Sequence, residues 1–151
     1  MKKFIAIPVV PSVDTAIYAS GDLIGGKLTI PAPDKGKIVS VRLVDQAAQS
    51  AAIDLTLWAS DPAGTTFTDN AALDVADADM AALIGVVPIA AADYDVFSDN
   101  RVATVSGYGL VYGSLAKGQN GGFAMYGALV SRGTPTYVAA TDLHLSIGIE
   151  Y

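Results

Sequence analysis

Apolar and polar residues alternate along several stretches of this chain, with the period of two that a β-strand with one buried face requires. The alternation is clearest near the C-terminus, where every second residue from 143 to 149 is aliphatic. The same pattern recurs over residues 37–45 and 52–58. Because only a short loop, 46–50, separates these two stretches, we expect them to pair as an antiparallel hairpin.

Clusters of glycine and proline separate the strand patterns, since proline presets one turn dihedral and glycine tolerates positive φ. A proline-rich turn at 31–36 follows a short strand at 27–30. Later in the chain, residues 101–111 and 123–131 have strand patterns. The glycine-rich segment 118–122 between them predicts the tip of a second hairpin.

The N-terminal residues 4–10 are apolar and largely β-branched, but Pro8 and Pro11 lack the amide hydrogens that a central strand needs. This pattern predicts either an edge strand within the same sheet or an arm laid on a neighbouring subunit. We therefore treat 1–17 as an edge strand or extended arm and 18–151 as a single β-sandwich domain, which suits a chain of 151 residues.

One stretch, residues 73–84, changes to helical spacing and predicts a short helix. Asp77 could cap its start by accepting amide hydrogens, and Gly85 could end it in the left-handed conformation. A short strand at 86–89 and an irregular acidic connection at 93–100 would follow. Such a series of short strands, with one short helix in a crossover, predicts an all-β fold, a two-sheet β-sandwich that is most consistent with a jelly roll.

Composition narrows the range of partners. The chain is 52% hydrophobic and only 16% charged, and its formal charge is −6. Too few cations are present to follow a nucleic-acid backbone or an anionic membrane, and no run of about 20 apolar residues could span a bilayer. A surface so short of charge predicts that part of it faces another protein chain.

Few residues could carry chemistry. There is no cysteine, which excludes thiolate chemistry. The single histidine, His144, lies on the polar face of the last predicted strand, without a motif that would assemble a catalytic triad around it. The densest carboxylate group, Asp69, Asp74, Asp77 and Asp79, does not follow the order of a calcium-binding loop. We expect Asp77 to cap the helix, Asp79 to complement the positive end of the helix dipole, and Asp74 to be solvated. We therefore predict no catalytic, cofactor-binding or metal-binding residue.

Aromatic residues leave one alternative open. Aromatic side chains on a β-sandwich can line a sugar-binding face, although aromatics on strands more often pack against a neighbouring strand. The candidates are Trp58, Tyr94, Phe97, Tyr108, Tyr112 and Tyr126. A carbohydrate-binding β-sandwich module is therefore a second hypothesis.

Two short segments carry a resemblance to a known family. One contains Leu55, Leu57 and Trp58, and the other contains Thr66, Phe67, Asp69 and Asn70. Both are similar to small head-decoration, or cement, proteins of tailed bacteriophages. The resemblance extends over most of the chain, from residues 18–22 with Gly26 to the region around Tyr126.

The resemblance implies a virion structural protein that is not an enzyme and needs no cofactor. Such a protein would form a homotrimer on the outer surface of the capsid, bind the major capsid protein and stabilise its lattice. Another phage structural module, such as a head fibre or a tail protein, remains an alternative. We expect the contacts at the N-terminal segment and at the glycine-rich tip: Phe4, Ile5, Ile7, Val9, Val10, Gly118, Gln119 and Asn120.

Overall fold

The computed structural model describes residues 1–118 and 121–151. Within these residues nine β-strands, joined by loops and two short 3₁₀ helices, form the framework. The strands are β1 (Phe4–Val9), β2 (Leu23–Pro31), β3 (Gly36–Asp45), β4 (Ile53–Trp58), β5 (Leu83–Ile89), β6 (Tyr94–Phe97), β7 (Asn100–Tyr112), β8 (Ala124–Ser131) and β9 (Leu143–Glu150). The 3₁₀ helices are Asp77–Ala82 and Ala91–Asp93.

The strands form two antiparallel sheets. One has five strands in the order β1-β9-β3-β7-β6, and the other has four in the order β2-β8-β4-β5. If β6, which extends one edge, is set aside, the chain passes between the sheets as two interleaved Greek keys do, which is the jelly-roll topology. The predicted all-β sandwich is confirmed, and the strand order is that of a jelly roll.

The predicted hairpin between residues 37–45 and 52–58 is wrong, because the two strands lie in different sheets. β3 pairs with β7 and β9, whereas β4 pairs with β5 and β8. The carboxylate of Asp45, a residue that is 1% exposed, holds the loop between them. It accepts amide hydrogens at 2.8 to 2.9 Å from Ala47, Gln49 and Ser50. A loop of hairpin length therefore crosses from one sheet to the other.

The second predicted hairpin, with its tip at 118–122, is also wrong. β7 pairs with β3 and β6, whereas β8 pairs with β2 and β4. A local turn does exist, because Gly118 donates its amide hydrogen to the Gly122 carbonyl at 2.6 Å. The turn lies on a connection between the sheets, where the 4% exposed Leu115 donates its amide hydrogen to the Asp34 carbonyl at 3.0 Å.

The helix predicted over residues 73–84 is reduced to the 3₁₀ turn Asp77–Ala82, which has no buried residue. The side chain of Asp77 makes no capping hydrogen bond, and Gly85 lies inside β5 rather than at a helix end. Pairing of β5 with β4 from Leu83 onward takes the apolar residues that would have formed the buried face of the helix.

Hydrogen bonds from the preceding loop also oppose a longer helix. Asp79 was expected to complement a helix dipole, but it accepts a hydrogen bond from the Thr65 hydroxyl at 2.6 Å. The same Thr65 oxygen accepts the amide hydrogen of Ala76 at 3.0 Å. These bonds fix the backbone just before and within the turn. The side chain of Asp79 therefore stabilises the preceding loop, and no residue of the turn is buried in the core.

The connection predicted to be irregular, 93–100, contains a strand. β6 pairs with β7 through a tight turn in which Phe97 lies opposite Asn100. Ser98, in this turn, has a φ of 56°, which a two-residue hairpin loop of this kind requires. β6 has only four residues, and one of them is Asp95. It is therefore too short to show a recognisable alternation of apolar and polar residues.

The main core lies between the two sheets and takes the inward side chains of both. A second, smaller core lies on the outer face of the four-stranded sheet, where Leu23, Trp58 and Ala128 are each 0% exposed. Residues 59–82 cover this face, and the Phe67 ring contacts Trp58 edge-on with the ring centroids 5.9 Å apart. No helix in the described part of the chain is long and apolar enough to cross a membrane.

Candidate functional site

β1 lies at one edge of the five-stranded sheet, and its outer side is open. On the inner side it pairs with β9, and the amide and carbonyl groups of Lys3 both bond to those of Tyr151 at 2.9 Å. Residues of an antiparallel strand bond alternately to one side and the other, so the peptide groups of Phe4, Ala6 and Pro8 face away from β9. Because Pro8 has no N–H, the open edge lacks one donor there.

The side chains around β1 divide between the core and the surface. Ile7 is 6% exposed and packs in the core, and Val9 is half-buried against it. Phe4, Ile5 and Val10 are 68%, 42% and 53% exposed. Ile7 and Val9 therefore hold this segment on the sandwich, while the three exposed side chains are available to another molecule.

An apolar groove of about 550 Å³ lies beside β1, where this strand meets the end of β2. We call it the β1 groove. Its walls are residues 5–8, 31–33 and 122–123 with Tyr151. Apolar side chains on an open groove contribute binding energy only when another surface covers them, because the gain comes from the area removed from water.

The β1 groove joins parts of the two segments in which the sequence predicts contacts. The N-terminal strand supplies one wall, and Gly122, at the end of the glycine-rich tip, lies on the other. Gln119 and Asn120 lie outside the described residues. The proline-rich turn at 31–33 and Tyr151 were missed, because their sequence indicates only a turn and a chain end.

Lysine side chains collect at the same end of the five-stranded sheet, which we call the basic corner and define as Lys2, Lys3, Lys35 and Lys37. Register places them together, because Glu150 lies opposite both Phe4 of β1 and Lys37 of β3. Lys35 precedes β3 in the turn that leads into it. A sequence with nine cations in 151 residues thus has four of them around one end of one sheet.

Glu150 is held by two members of the basic corner. Lys2 Nζ lies 2.9 Å from one carboxylate oxygen and Lys37 Nζ lies 3.5 Å from the other. The hydrogen bond from Lys2 is the main reason that the pKa of Glu150 is below its ordinary value. Lys3 and Lys35 are exposed and make no ion pair with any other residue in 1–118 or 121–151.

His144 lies on the outer face of β9, opposite Val44 of β3. Its ring makes no hydrogen bond to another described residue. The neighbouring outward residue of β9 is Ser146, and neither side chain is joined to a carboxylate in the part of the chain that the structure describes. The arrangement there is an ordinary polar strand face.

The carboxylates that the sequence groups together make different contacts in the structure. Asp69 accepts hydrogen bonds from the Tyr18 hydroxyl at 2.8 Å and the Gly25 amide at 2.7 Å. Asp74 and Asp77 line an open surface depression instead. Among residues 1–118 and 121–151, no three acidic or histidine side chains lie close enough to hold a metal ion. Asp69 therefore acts within the fold, as a tie between loops.

The aromatic residues proposed as a sugar platform are not displayed on one face. Trp58 and Tyr112 are 0% and 5% exposed, and burial raises the pKa of Tyr112 to about 12. Tyr94 donates its hydroxyl hydrogen to the Ala51 carbonyl at 2.9 Å, and burial raises its pKa as well. Tyr126 packs beside Lys27, whose ammonium lies 5.7 Å from its ring centroid. These four rings serve packing rather than stacking on a ligand. Of the other two candidates, Tyr108 is half-buried and Phe97 is 61% exposed on β6.

Comparisons with known proteins add little. No protein-family model matches the chain, and no curated protein matches it. Among solved structures, the chain is similar to one from tomato aspermy virus, with 15% identity, a TM-score of 0.38, and coverage of 99% of this chain and 76% of that one. It is also similar to the PRD1 vertex protein P5, with 9% identity, a TM-score of 0.35, and coverage of 97% and 94%.

A serine protease of Aeromonas sobria is similar at the same level, with 10% identity and a TM-score of 0.32, and this chain covers 27% of it. Similarities this low carry no argument about what the chain does. The fold assignment rests on the strand order, and the function must be argued from the surface.

Proposed function

We propose that this chain is a virion structural protein, a head-decoration or cement protein of a tailed bacteriophage. In this proposal it forms a homotrimer on the outer surface of the capsid and binds the major capsid protein, whose lattice it stabilises. The observation that carries the proposal is the β1 groove, an open apolar surface beside a free strand edge. The sequence resemblance to cement proteins supplies the kind of partner.

The surface around the groove is suited to protein contact. Ile5, in its wall, is 42% exposed, and Phe4, the preceding residue of β1, is 68% exposed. Aromatic and aliphatic side chains of this kind, with few charges among them, are typical of the central part of protein interfaces. A stable interface buries roughly 800 Å² on each partner, so the groove would be the centre of a larger contact.

Polar groups elsewhere on the chain support a passive role. His144 has no hydrogen-bonded partner among the described residues, and the carboxylates of Asp45 and Asp69 accept backbone hydrogens. The two carboxylates stabilise loops, and His144 has no partner in the described part of the chain that would orient it to act on a substrate. A cement protein needs only such a rigid scaffold, because many modest contacts that must break together resist the internal pressure of a packed head.

The charge favours a position outside the capsid. With 15 acidic and nine basic residues, the chain would be repelled by packaged DNA. The outer capsid surface imposes no such penalty. An outward location is therefore part of the proposal.

Reconstitution tests the proposal directly. Heads of the phage that encodes this protein, prepared without it, would be mixed with the purified protein and imaged by cryo-electron microscopy. We expect density for groups of three copies on the outer capsid lattice and a higher temperature for DNA release. Density at the tail or on fibres would replace the cement function with another phage module. A monomer that does not bind heads but binds glycans would support the carbohydrate-binding alternative.

A pair of variants makes the test specific to the groove. Ile5→Asp places a charge in the groove wall, and we expect it to abolish binding to heads. Val138→Asp is the matched control, because Val138 is 81% exposed in the loop before β9, at the other end of the sandwich. Equal binding by both variants would contradict a role for the β1 groove.

A further inference from the structure

The five-stranded sheet has two free edges, β1 and β6, and they differ in charge. The basic corner surrounds the start of β1. At the other edge, the exposed carboxylates of Asp93, Asp95 and Asp99 lie on and beside β6. We call this the acidic corner. The nearest cation is Arg101, whose guanidinium donates hydrogen bonds to the carbonyls of Ser98 and Asn100 at 2.7 and 2.9 Å. Arg101 therefore stabilises the turn and makes no ion pair with these carboxylates.

Each corner also carries exposed apolar side chains. Phe4 is 68% exposed at the basic corner, and Val96 and Phe97 are 67% and 61% exposed at the acidic corner. Exposed aromatic and branched side chains next to complementary charges are what a specific interface combines. The chain therefore carries both halves of one complementary contact.

We infer that the basic corner of one copy docks on the acidic corner of another copy of this chain. The inference rests on the self-association in the proposed function and names the surfaces that form it. Lys3 and Lys35, which have no ion pair within the described residues, would face Asp95 and Asp99. Phe4 would pack against Val96 and Phe97.

Register restricts how the copies can be placed. The basic corner is level with Lys37 of β3, whereas the β6–β7 turn is level with Asp45 at the other end of the same strand. The corners are thus diagonally opposite on the sheet. Copies packed side by side with their strands along the three-fold axis would leave the corners apart. In a closed trimer the strands must therefore be inclined to that axis, because a displacement along it would give an open filament.

Pro8 limits the contribution of the backbone. An exposed strand edge normally invites pairing with a strand of another molecule. Because Pro8 offers no N–H on the open side of β1, a continuous ladder along that edge is interrupted. The contact therefore depends on side chains, which makes it selective for the charged corners and sensitive to salt.

Charge reversal provides the test. One variant reverses the basic corner (Lys3→Glu with Lys35→Glu), a second reverses the acidic corner (Asp95→Lys with Asp99→Lys), and a third combines all four changes. All four side chains are exposed. Analytical ultracentrifugation of the full chain would measure the self-association constant. We expect each reversal alone to weaken self-association roughly tenfold or more, because like charges would then meet.

The combined variant decides between folding damage and lost complementarity. Its corners are complementary again with the signs exchanged, so we expect association close to that of the original chain. Mixing the two single-corner variants should also restore association. Raising the salt from about 0.1 M to about 1 M shortens the screening length from roughly 10 Å to roughly 3 Å, and should weaken association of the original chain.

Three results would overturn the inference. The first is a chain that stays monomeric at low salt, and the second is an oligomer that neither reversal affects. The third is a combined variant no better than the single-corner variants despite an unchanged unfolding midpoint. Head binding separates this inference from the proposed function: a monomer that still saturates phage heads keeps the decoration role, with the basic corner then serving an acidic capsid surface.

Discussion

The outer faces of the two sheets differ, because residues of the chain cover one of them and leave the other exposed. On the four-stranded sheet, residues 59–82 fold over Trp58 and Leu23 and bury both completely. On the five-stranded sheet no segment of the described chain covers the outer face, and its two margins expose Phe4 and Phe97. The first face is completed within the chain, whereas the second leaves apolar area that only another molecule can cover.

This difference separates residues that hold the fold from residues that meet a partner. Substitutions on the covered face should reduce the free energy of unfolding and leave binding unaffected in the molecules that fold. Substitutions on the open face should change association with little effect on stability. The four predictions below test this division, beginning with the largest expected change.

Trp58→Ala should cause the greatest loss of stability. The side chain is fully buried and contacts Phe67 edge-on, and truncating a buried tryptophan costs roughly 3–5 kcal/mol. Urea denaturation followed by circular dichroism would measure it. Phe97→Ala on the open face is the matched aromatic control, and we expect a change within about 0.5 kcal/mol. Equal losses for the two variants would contradict the division.

Asp69→Ala should release the covering loop from the sheet. Its carboxylate accepts hydrogen bonds from the Tyr18 hydroxyl and the Gly25 amide. Tyr18 is 1% exposed, so its hydroxyl would be left without this acceptor, at a cost of about 1–3 kcal/mol. Urea denaturation gives the loss, and faster hydrogen exchange in residues 59–82 would locate it. The exposed Asp74→Ala is the control, and we expect it to leave both measurements unchanged.

The strands of both sheets show what sequence patterns could and could not predict. Alternation located the strands around residues 37–45, 52–58 and 143–149, because each has one side in the core and one outside. Their partners could not be derived from loop length. The 46–50 loop crosses between sheets because Asp45 fixes three of its amides. Nothing in the sequence distinguishes an aspartate with this role from any other aspartate next to a loop.

The candidate site was predictable to a similar extent. Pro8 and Pro11 indicated an edge position, and β1 does lie at a sheet edge. The groove itself depends on residues far apart in sequence, since Tyr151 and the turn at 31–33 complete it. The acidic character of residues 93–100 was recognised, but their position at the other edge of the sheet was missed, because β6 is too short to give a strand pattern. Such surfaces are created by topology, which local patterns do not specify.

Phe4→Ser should have the opposite profile to the two substitutions on the covered face. Phe4 is 68% exposed at the start of β1, so its removal should change the free energy of unfolding by about 0.5 kcal/mol or less. Association with partner chains should fall measurably, because a central aromatic side chain often dominates an interface. Urea denaturation and sedimentation velocity on the same samples provide both values. A large stability loss with unchanged association would assign Phe4 to the fold.

The smallest expected effect concerns the ion pair that secures β1 to β9. Because Lys2 lowers the pKa of Glu150, the pair stabilises the folded chain above the ordinary carboxyl pKa, and this contribution is lost as the pH falls through the lowered value. An NMR titration of the Glu150 carboxyl carbon should give a midpoint below that of an unperturbed glutamate. Lys2→Met should raise the midpoint, whereas the control Lys117→Met, at a lysine with no ion pair among the described residues, should not. An unchanged midpoint in Lys2→Met would mean that this pair adds nothing to holding the edge strand, which the backbone pairing with β9 and the packing of Ile7 and Val9 would then keep in place.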